Sequence, residues 1–375
     1  MKHVTSKSEI YNNLMAVAKV INSKNSIAIL SNIVFKIENN IISLTASDGE
    51  NTMNTKLKLM ESEGNEEFSA HGDDVIKAIS GISEQPITLD VNKNDSRMDV
   101  IYSNGRFSLP IYGAEDYPAT SEIEQDSTTF KLTSATLLDN ITRTIFATAN
   151  DEIRPVMCGC FFDLQQDHIA IVASDGHKLV RNKIFGEGND KPSSFILPNK
   201  PANLLKGLLP KDAEMPVEIV FDANNAQISF WDITITCRLI EGRYPNYNSV
   251  IPDNNTRNIT IERKSIISAL KRVQPFSNTA SNLIKLSVDN NIIKLDAEDY
   301  NFSKNASETI QCSYEAQPMT IGFKCSALIE ILSNIDSEEV VFSLSDPSRA
   351  CIITPAEQPN EQEVLMLIMP MMIEN

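Results

Sequence analysis

The sequence reads as an α+β protein made by threefold duplication. Three observations say so. A strand followed by an amphipathic helix recurs about every 125 residues: His3-Val4-Thr5-Ser6 leading to Leu14, Phe130-Lys131-Leu132-Thr133 leading to Leu138, and Ile259-Thr260-Ile261-Glu262 leading to Leu270. Each third divides again into a strand, a helix and several strands joined by short turns. The length, 375 residues, exceeds one ordinary hydrophobic core and suits three domains of common size.

Taken in order, helices are expected over residues 7–21, 73–81, 134–148, 199–209, 264–274 and 326–335, two to each third. Ile10, Leu14, Val17 and Ile21 share one face of the first, as Ile266, Leu270 and Val273 share one face of the fifth, so each helix has an apolar side for a sheet and a polar side for solvent. Between the helices, alternation predicts strands. Val34–Ile37 and Ile42–Thr45 flank the turn Glu38-Asn39-Asn40-Ile41, and 217–222 and 226–231 flank Ala223-Asn224-Asn225. Meandering antiparallel sheets covered by two helices per domain follow. Boundaries fall in the polar stretches Glu122 to Ser127 and Pro252-Asp253-Asn254-Asn255, giving domains 1–126, 127–253 and 254–375. Each boundary follows a similar phrase, Tyr112-Gly113-Ala114-Glu115-Asp116-Tyr117-Pro118 in one case and Glu241-Gly242-Arg243-Tyr244-Pro245-Asn246-Tyr247 in the other.

Hydrophobic residues make up 42% of the chain and charged ones 22%, a composition that folds rather than stays disordered. The formal net charge of −17 argues on average against a polyanionic partner. Its distribution says otherwise. The six expected helices carry nine basic residues (Lys7, Lys19, Lys77, Arg143, Lys200, Lys206, Lys264, Lys271, Arg272) against five acidic ones (Glu9, Asp73, Asp74, Asp139, Glu330). In a repeat protein equivalent faces share one surface, so these small excesses add into a mildly basic surface within an acidic shell, suited to backbone phosphates and not to reading bases. There is no apolar stretch of about eighteen residues, and Met1-Lys2-His3-Val4-Thr5 lacks the apolar core of a signal peptide, so a cytoplasmic location is expected. Six cysteines without a CxxC pair read as reduced core thiols, and the lone Cys158-Gly159-Cys160 makes a poor metal site beside only four histidines. Neither a metal nor a cofactor is expected.

Several phrases closely resemble one family. Ala173-Ser174-Asp175-Gly176-His177-Lys178-Leu179, the Glu241 to Tyr247 phrase with Val250-Ile251-Pro252, Ile29-Leu30-Ser31-Asn32, and the terminal Ile368-Met369-Pro370-Met371 are similar to those of the bacterial sliding clamp, the β subunit of DNA polymerase III. The similarity runs through nearly the whole chain in the family's order. It implies a clamp fold, a head-to-tail homodimer closing a six-domain ring around double-stranded DNA, and retention by topology instead of tight binding. Weak, salt-screened phosphate contacts then permit sliding. The resemblance puts Lys24, Arg154 and Lys200 on the DNA-facing surface. It places a partner pocket between the second and third domains, lined by Met157, Ser174, Gly176, His177, Lys178, Leu179, Pro245, Val250, Leu367, Met369, Pro370 and Met371. The expected guests are short motifs of the polymerase III α subunit, the clamp-loader δ subunit and other clamp-binding proteins. Methionines suit a groove that receives many peptides, because they are adaptable and polarizable. Proline within Met369-Pro370-Met371 cannot donate to a ladder, which sets those methionines at a strand end, whereas Val364, Met366 and Ile368 read as a buried last strand.

For ring closure the resemblance sets Phe107 and Leu109 of one chain against Pro275 and Phe276 of the other, with Phe107 and Leu109 alternating on an edge strand. This sequence departs from the family's pattern at several places. Asp73 and Asp74 stand where basic residues are common and Asn199 where arginine is, which implies weaker or relocated DNA contacts. Ser249 and Met372 replace frequent arginines, and Ala327 a frequent tyrosine.

An enzyme is not expected. Ser174-Asp175-Gly176-His177 brings the residues of a catalytic triad together, but neighbours on a strand and turn point to alternate sides. Gly186-Glu187-Gly188 lacks the lysine of a phosphate-binding loop. The competing reading is an acidic repeat scaffold that binds peptides and ignores DNA.

Overall fold

The structure, a computed structural model, describes residues 1–22, 27–151, 153–211 and 214–373. All six expected helices are present: α1 (Lys7–Ala18), α2 (Gly72–Ser80), α3 (Ser134–Ile145), α4 (Asn199–Leu208), α5 (Arg263–Val273) and α6 (Cys325–Ser333). They end one to three residues short of the apolar pattern, as fraying last turns do. The Ser6 hydroxyl caps α1 by accepting from the Glu9 amide at 3.4 Å. Asp73 and Asp74 sit in the first turn of α2, where negative charge favours the helix dipole.

Two compact units divide the chain. The first comprises residues 1–135 and 203–239. Its five-stranded antiparallel sheet runs in the order Glu61–Ser62, Lys2–Ser6, Pro86–Asn92, Arg97–Tyr102, Gly105–Pro110. Its eight-stranded sheet runs Thr128–Thr133, Pro216–Phe221, Asn225–Phe230, Ile233–Arg238, Asn51–Lys58, Ile41–Ser47, Asn32–Glu38, Glu66–His71. Strands of the first and second thirds of the sequence thus meet edge to edge, with Cys237 paired to Asn51. Helix α1 buries Ile10, Leu14 and Val17 completely and packs beside α2.

The second unit comprises residues 136–202 and 240–375. Its eight-stranded sheet runs Ser193–Pro198, Gly159–Leu164, His168–Ser174, Lys178–Phe185, Gln362–Ile368, Cys351–Pro355, Glu339–Leu344, Arg257–Glu262. A four-stranded sheet runs Lys304–Gln311, Ile292–Asp299, Leu283–Asp289, Met319–Lys324. Here α5 packs beside α6, as α1 does beside α2. The hairpins of the first and last thirds turn on the same chemistry. Asn39 and Asn40 have φ of 51° and 62°, Asn290 and Asn291 have 47° and 62°, the left-handed pair that a two-residue turn requires.

The strand Gln362–Ile368 explains why a second apolar surface exists. Val364, Met366 and Ile368 enter the main core with α5 and α6. Leu365 and Leu367 point to the opposite face, into a smaller cluster with Val172, Leu179, Ile196, Tyr244 and Tyr247. A sheet buried on both faces has no alternation to show, which is why this strand reads as one apolar run.

Candidate functional site

The smaller cluster anchors several of the residues that the resemblance places in the partner pocket. Leu179 and Leu367 are cross-strand partners, 2% and 3% exposed, so they belong to this cluster's core and do not line the cavity beside Met369-Pro370-Met371. Tyr244 stacks flat on Phe161 at 4.6 Å, and the Tyr247 hydroxyl donates to Asp163 Oδ2 at 2.7 Å. With those rings anchored, the segment between and after them leaves Pro245 and Val250 exposed at the surface. Burial raises both tyrosine pKa values, so both hydroxyls stay protonated.

The loop Ser174–Lys178 forms one side. The Ser174 hydroxyl donates to the Lys178 carbonyl at 2.9 Å and accepts from the Gly176 amide at 3.1 Å. Asp175 Oδ1 accepts from the His177 and Lys178 amides at 2.8 and 2.9 Å. Gly176 has φ +89°, and a Cβ there would lie 2.8 Å from Arg154 Nη1. These residues are turn chemistry, and serine and aspartate are spent on it. Lys178 Nζ spans Asp175 at 2.8 Å and Glu330 of α6 at 3.3 Å. Burial works against both charges of the Asp175–Lys178 pair, but their mutual hydrogen bond and attraction prevail. The Asp175 pKa falls and that of Lys178 rises.

The opposite side is the chain's end. The Met369 amide donates to the His177 carbonyl at 2.8 Å and the Met371 amide to the Gly322 carbonyl at 2.8 Å. Pro370, which has no N–H, sits between these two ties. Gly322 belongs to the edge strand Met319–Lys324, and a Cβ on it would meet the Met371 carbonyl oxygen at 2.8 Å. Only glycine lets the two backbones approach this closely. The result is a cavity of 410 Å³ lined by His177, Ala280, Ser281, Lys324, Ala327 and Ile368 to Met372. Met369 is 42% exposed and Met372 95%. Ala280, Ser281, Lys324 and Gly322 escaped the sequence reading. An isolated glycine inside the strand pattern Met319-Thr320-Ile321-Gly322-Phe323 was the available signal for the last of them.

Met157 is 9% exposed and close to Arg154, whose Nη1 lies 3.9 Å from its sulfur. Arg154 itself is tied down. Its Nη2 pairs with Asp151 at 2.8 Å and its Nη1 donates to the Asp175 carbonyl at 2.9 Å, so it braces the Ser174–Lys178 loop. Lys200 lies half-buried in the first turn of α4, where the Asn199 side-chain Nδ2 donates to Thr148 Oγ1 at 3.0 Å. Lys24 lies outside the described residues. Gly105–Pro110 is an edge strand, with Phe107 39% exposed and Leu109 half-buried. Phe276 is 40% exposed beside an exposed Pro275. Among the described residues no cluster of metal-ligating side chains occurs, and no helix is long and apolar enough to cross a membrane.

The sequence matches the N-terminal, central and C-terminal domain models of the DNA polymerase III beta subunit over residues 1–121, 131–246 and 248–372. The chain belongs to the bacterial β sliding clamp family. It is 27% identical to the beta sliding clamp of Haemophilus influenzae over 98% of this chain and 99% of that one, and 26% identical to that of Vibrio cholerae over 99% of each. Its fold is that of the Pseudomonas aeruginosa clamp bound to griselimycin, at a TM-score of 0.93, 24% identity and full coverage of both chains. The Thermotoga maritima beta subunit matches at 0.90 and 21%, again over the whole of both.

As a β sliding clamp the protein is a processivity subunit and not an enzyme. It encircles duplex DNA as a head-to-tail dimer and tethers the replicative polymerase through a peptide-binding pocket. The reading as an acidic scaffold indifferent to DNA has no support in these relationships.

Proposed function

We propose that the cavity beside Met369-Pro370-Met371 is where the clamp's partners dock. His177, Met369, Pro370 and Met371 line it, and in this reading Met157, Ser174, Gly176, Lys178, Leu179, Pro245, Val250 and Leu367 complete the docking surface beside it. Its guests are short apolar motifs of the polymerase III α subunit, the clamp-loader δ subunit and other clamp-binding proteins. One observation carries this reading: the chain's end is stitched on both sides of Pro370, holding exposed methionines over an open apolar cavity. Removal of residues 369–375 takes away one wall and should abolish binding of a clamp-motif peptide while the dimer persists. Dissociation to monomers in light scattering would contradict it. Each desolvated anchor in such a groove contributes about 2 kcal/mol or more.

Lys24, Arg154 and Lys200 meet DNA phosphates in this reading, Arg154 with its charge already shared with Asp151. The three repeats are residues 1–126, 127–253 and 254–375. Ring closure joins the edge strand bearing Phe107 and Leu109 of one protomer to the Pro275-Phe276 turn of its partner. The protein works in the cytoplasm, where its replication partners are.

A further inference from the structure

The docking cavity does not end at Met372. A second cavity, 320 Å³, shares Ser281, Met371 and Met372 with the first and continues across the outer face of the four-stranded sheet. Its character is different. Instead of apolar walls it offers Asp296 and Glu298, which alternate along Ile292–Asp299 and so share the sheet's outer face, beneath the exposed ring of Tyr300. Lys285, opposite Asp296 on the neighbouring strand, is the one cation lining it among the described residues, and it lies 3.9 Å from Glu298. Lys294, farther along the same strand, takes one oxygen of Asp296 at 2.9 Å. The Tyr300 hydroxyl donates to Glu298 Oε2, so Glu298 Oε1 and Asp296 Oδ2 are the oxygens left to accept further donors, and two carboxylates against one lining lysine leave the cavity net negative.

We infer that this second cavity receives an arginine or lysine flanking the docking motif, so that the clamp reads a basic residue beside the apolar anchors. The inference rests on the docking reading above and extends it. Three features carry it: the shared lining of Ser281, Met371 and Met372, the charge of Asp296 and Glu298, and the Tyr300 ring. A guanidinium laid over that ring reaches both carboxylates, combining cation–π attraction with charge-assisted hydrogen bonds. An extended peptide can pass directly from one cavity to the other, since the two share Ser281, Met371 and Met372 in their walls.

The test uses the full-length clamp and a fluorescent clamp-motif peptide of a polymerase III α subunit. The peptide is made plain, with Arg-Arg added at its N-terminus, with Arg-Arg added at its C-terminus, and with Glu-Glu at each end. One Arg-Arg peptide should bind about three- to tenfold tighter at low salt, the range expected of partly exposed charge pairs. Its Glu-Glu counterpart should bind more weakly than the plain peptide. The pair Asp296→Asn and Glu298→Gln should erase the gain and leave the plain peptide's Kd unchanged. Equal affinities for all peptides, or a gain that survives both substitutions, would overturn the inference while leaving the docking cavity in place. No binding of the plain peptide would overturn the docking reading and this one with it.

Discussion

At the scale of single residues, two glycines decide whether the pocket exists. Gly322→Ala puts a methyl against the Met371 carbonyl, which cannot yield without leaving its tie. The substitution should weaken clamp-motif peptides by about tenfold or more in a direct titration, with a small loss of thermal stability because the methyl also meets the flexible Leu283 side chain at 2.9 Å. Gly176→Ala forces φ of +89° on a residue with a Cβ and pushes it toward Arg154, so it should loosen the loop that carries His177. The Asp175–Lys178 pair has a definite pH signature. A carboxyl whose folded pKa is lowered contributes stability above its unfolded value, near 4, and loses it only as pH falls through the folded value. A lysine whose folded pKa is raised contributes fully below its unfolded value, near 10.4, and loses it only as pH rises beyond. The pair's contribution to stability should therefore be constant between about pH 7 and 9, and a stability difference between the wild type and Lys178→Met that changes across that range would contradict the pairing. Burial pushes the thiols of Cys160, Cys237 and Cys325 up to about 12, so at pH 8 roughly one in ten thousand is thiolate. A thiol reagent should leave these three unmodified until the protein unfolds.

At the scale of elements, exposed edges and ends carry the function. The strand Gly105–Pro110 closes one edge of its sheet with Phe107 outward, and an edge left open in one chain is an invitation to pair. Phe107→Asp should split the dimer. An aromatic anchor contributes about 2 kcal/mol, and two symmetric interfaces double it, so the dimer Kd should rise about a thousandfold in light scattering. Circular dichroism should not change, since the side chain serves no core. Elements were largely legible in the sequence, because helical spacing survives in all six helices and the Asn39-Asn40 turn announces its hairpin. The last strand was legible in part. Val364, Met366 and Ile368 are core as their period suggests, but that Leu367 and Leu179 are buried together in the smaller cluster depends on cross-strand pairing over a long sequence separation. The acidic start of α2 has a local role: Asp73 and Asp74 favour the helix dipole, and Asp73 lies 3.8 Å from Lys77.

At the scale of the whole molecule, repetition and charge argue together. Duplication was visible as a rhyme in the sequence, while the sheets that join one third to the next were not, because nothing local in Asn51 or Cys237 marks them as partners. Arg154 shows the same limit: a cation in the sequence is only a charge, and its ties to Asp151 and the Asp175 carbonyl appear only on folding. A chain of net charge −17 holds DNA weakly, and weak contact suits sliding. Lys200→Ala should lower affinity for short duplexes about two- to threefold and reduce the slope of log affinity against log salt by about one, without dependence on sequence. Retention on DNA must then come from topology. The direct measurement loads the clamp onto nicked circular duplex with a clamp loader, isolates the complex by gel filtration, and cuts the circle once with a restriction enzyme. The clamp should stay on the closed circle through the column and be lost once the DNA is linear. Equal retention on circular and linear DNA would contradict an encircling ring.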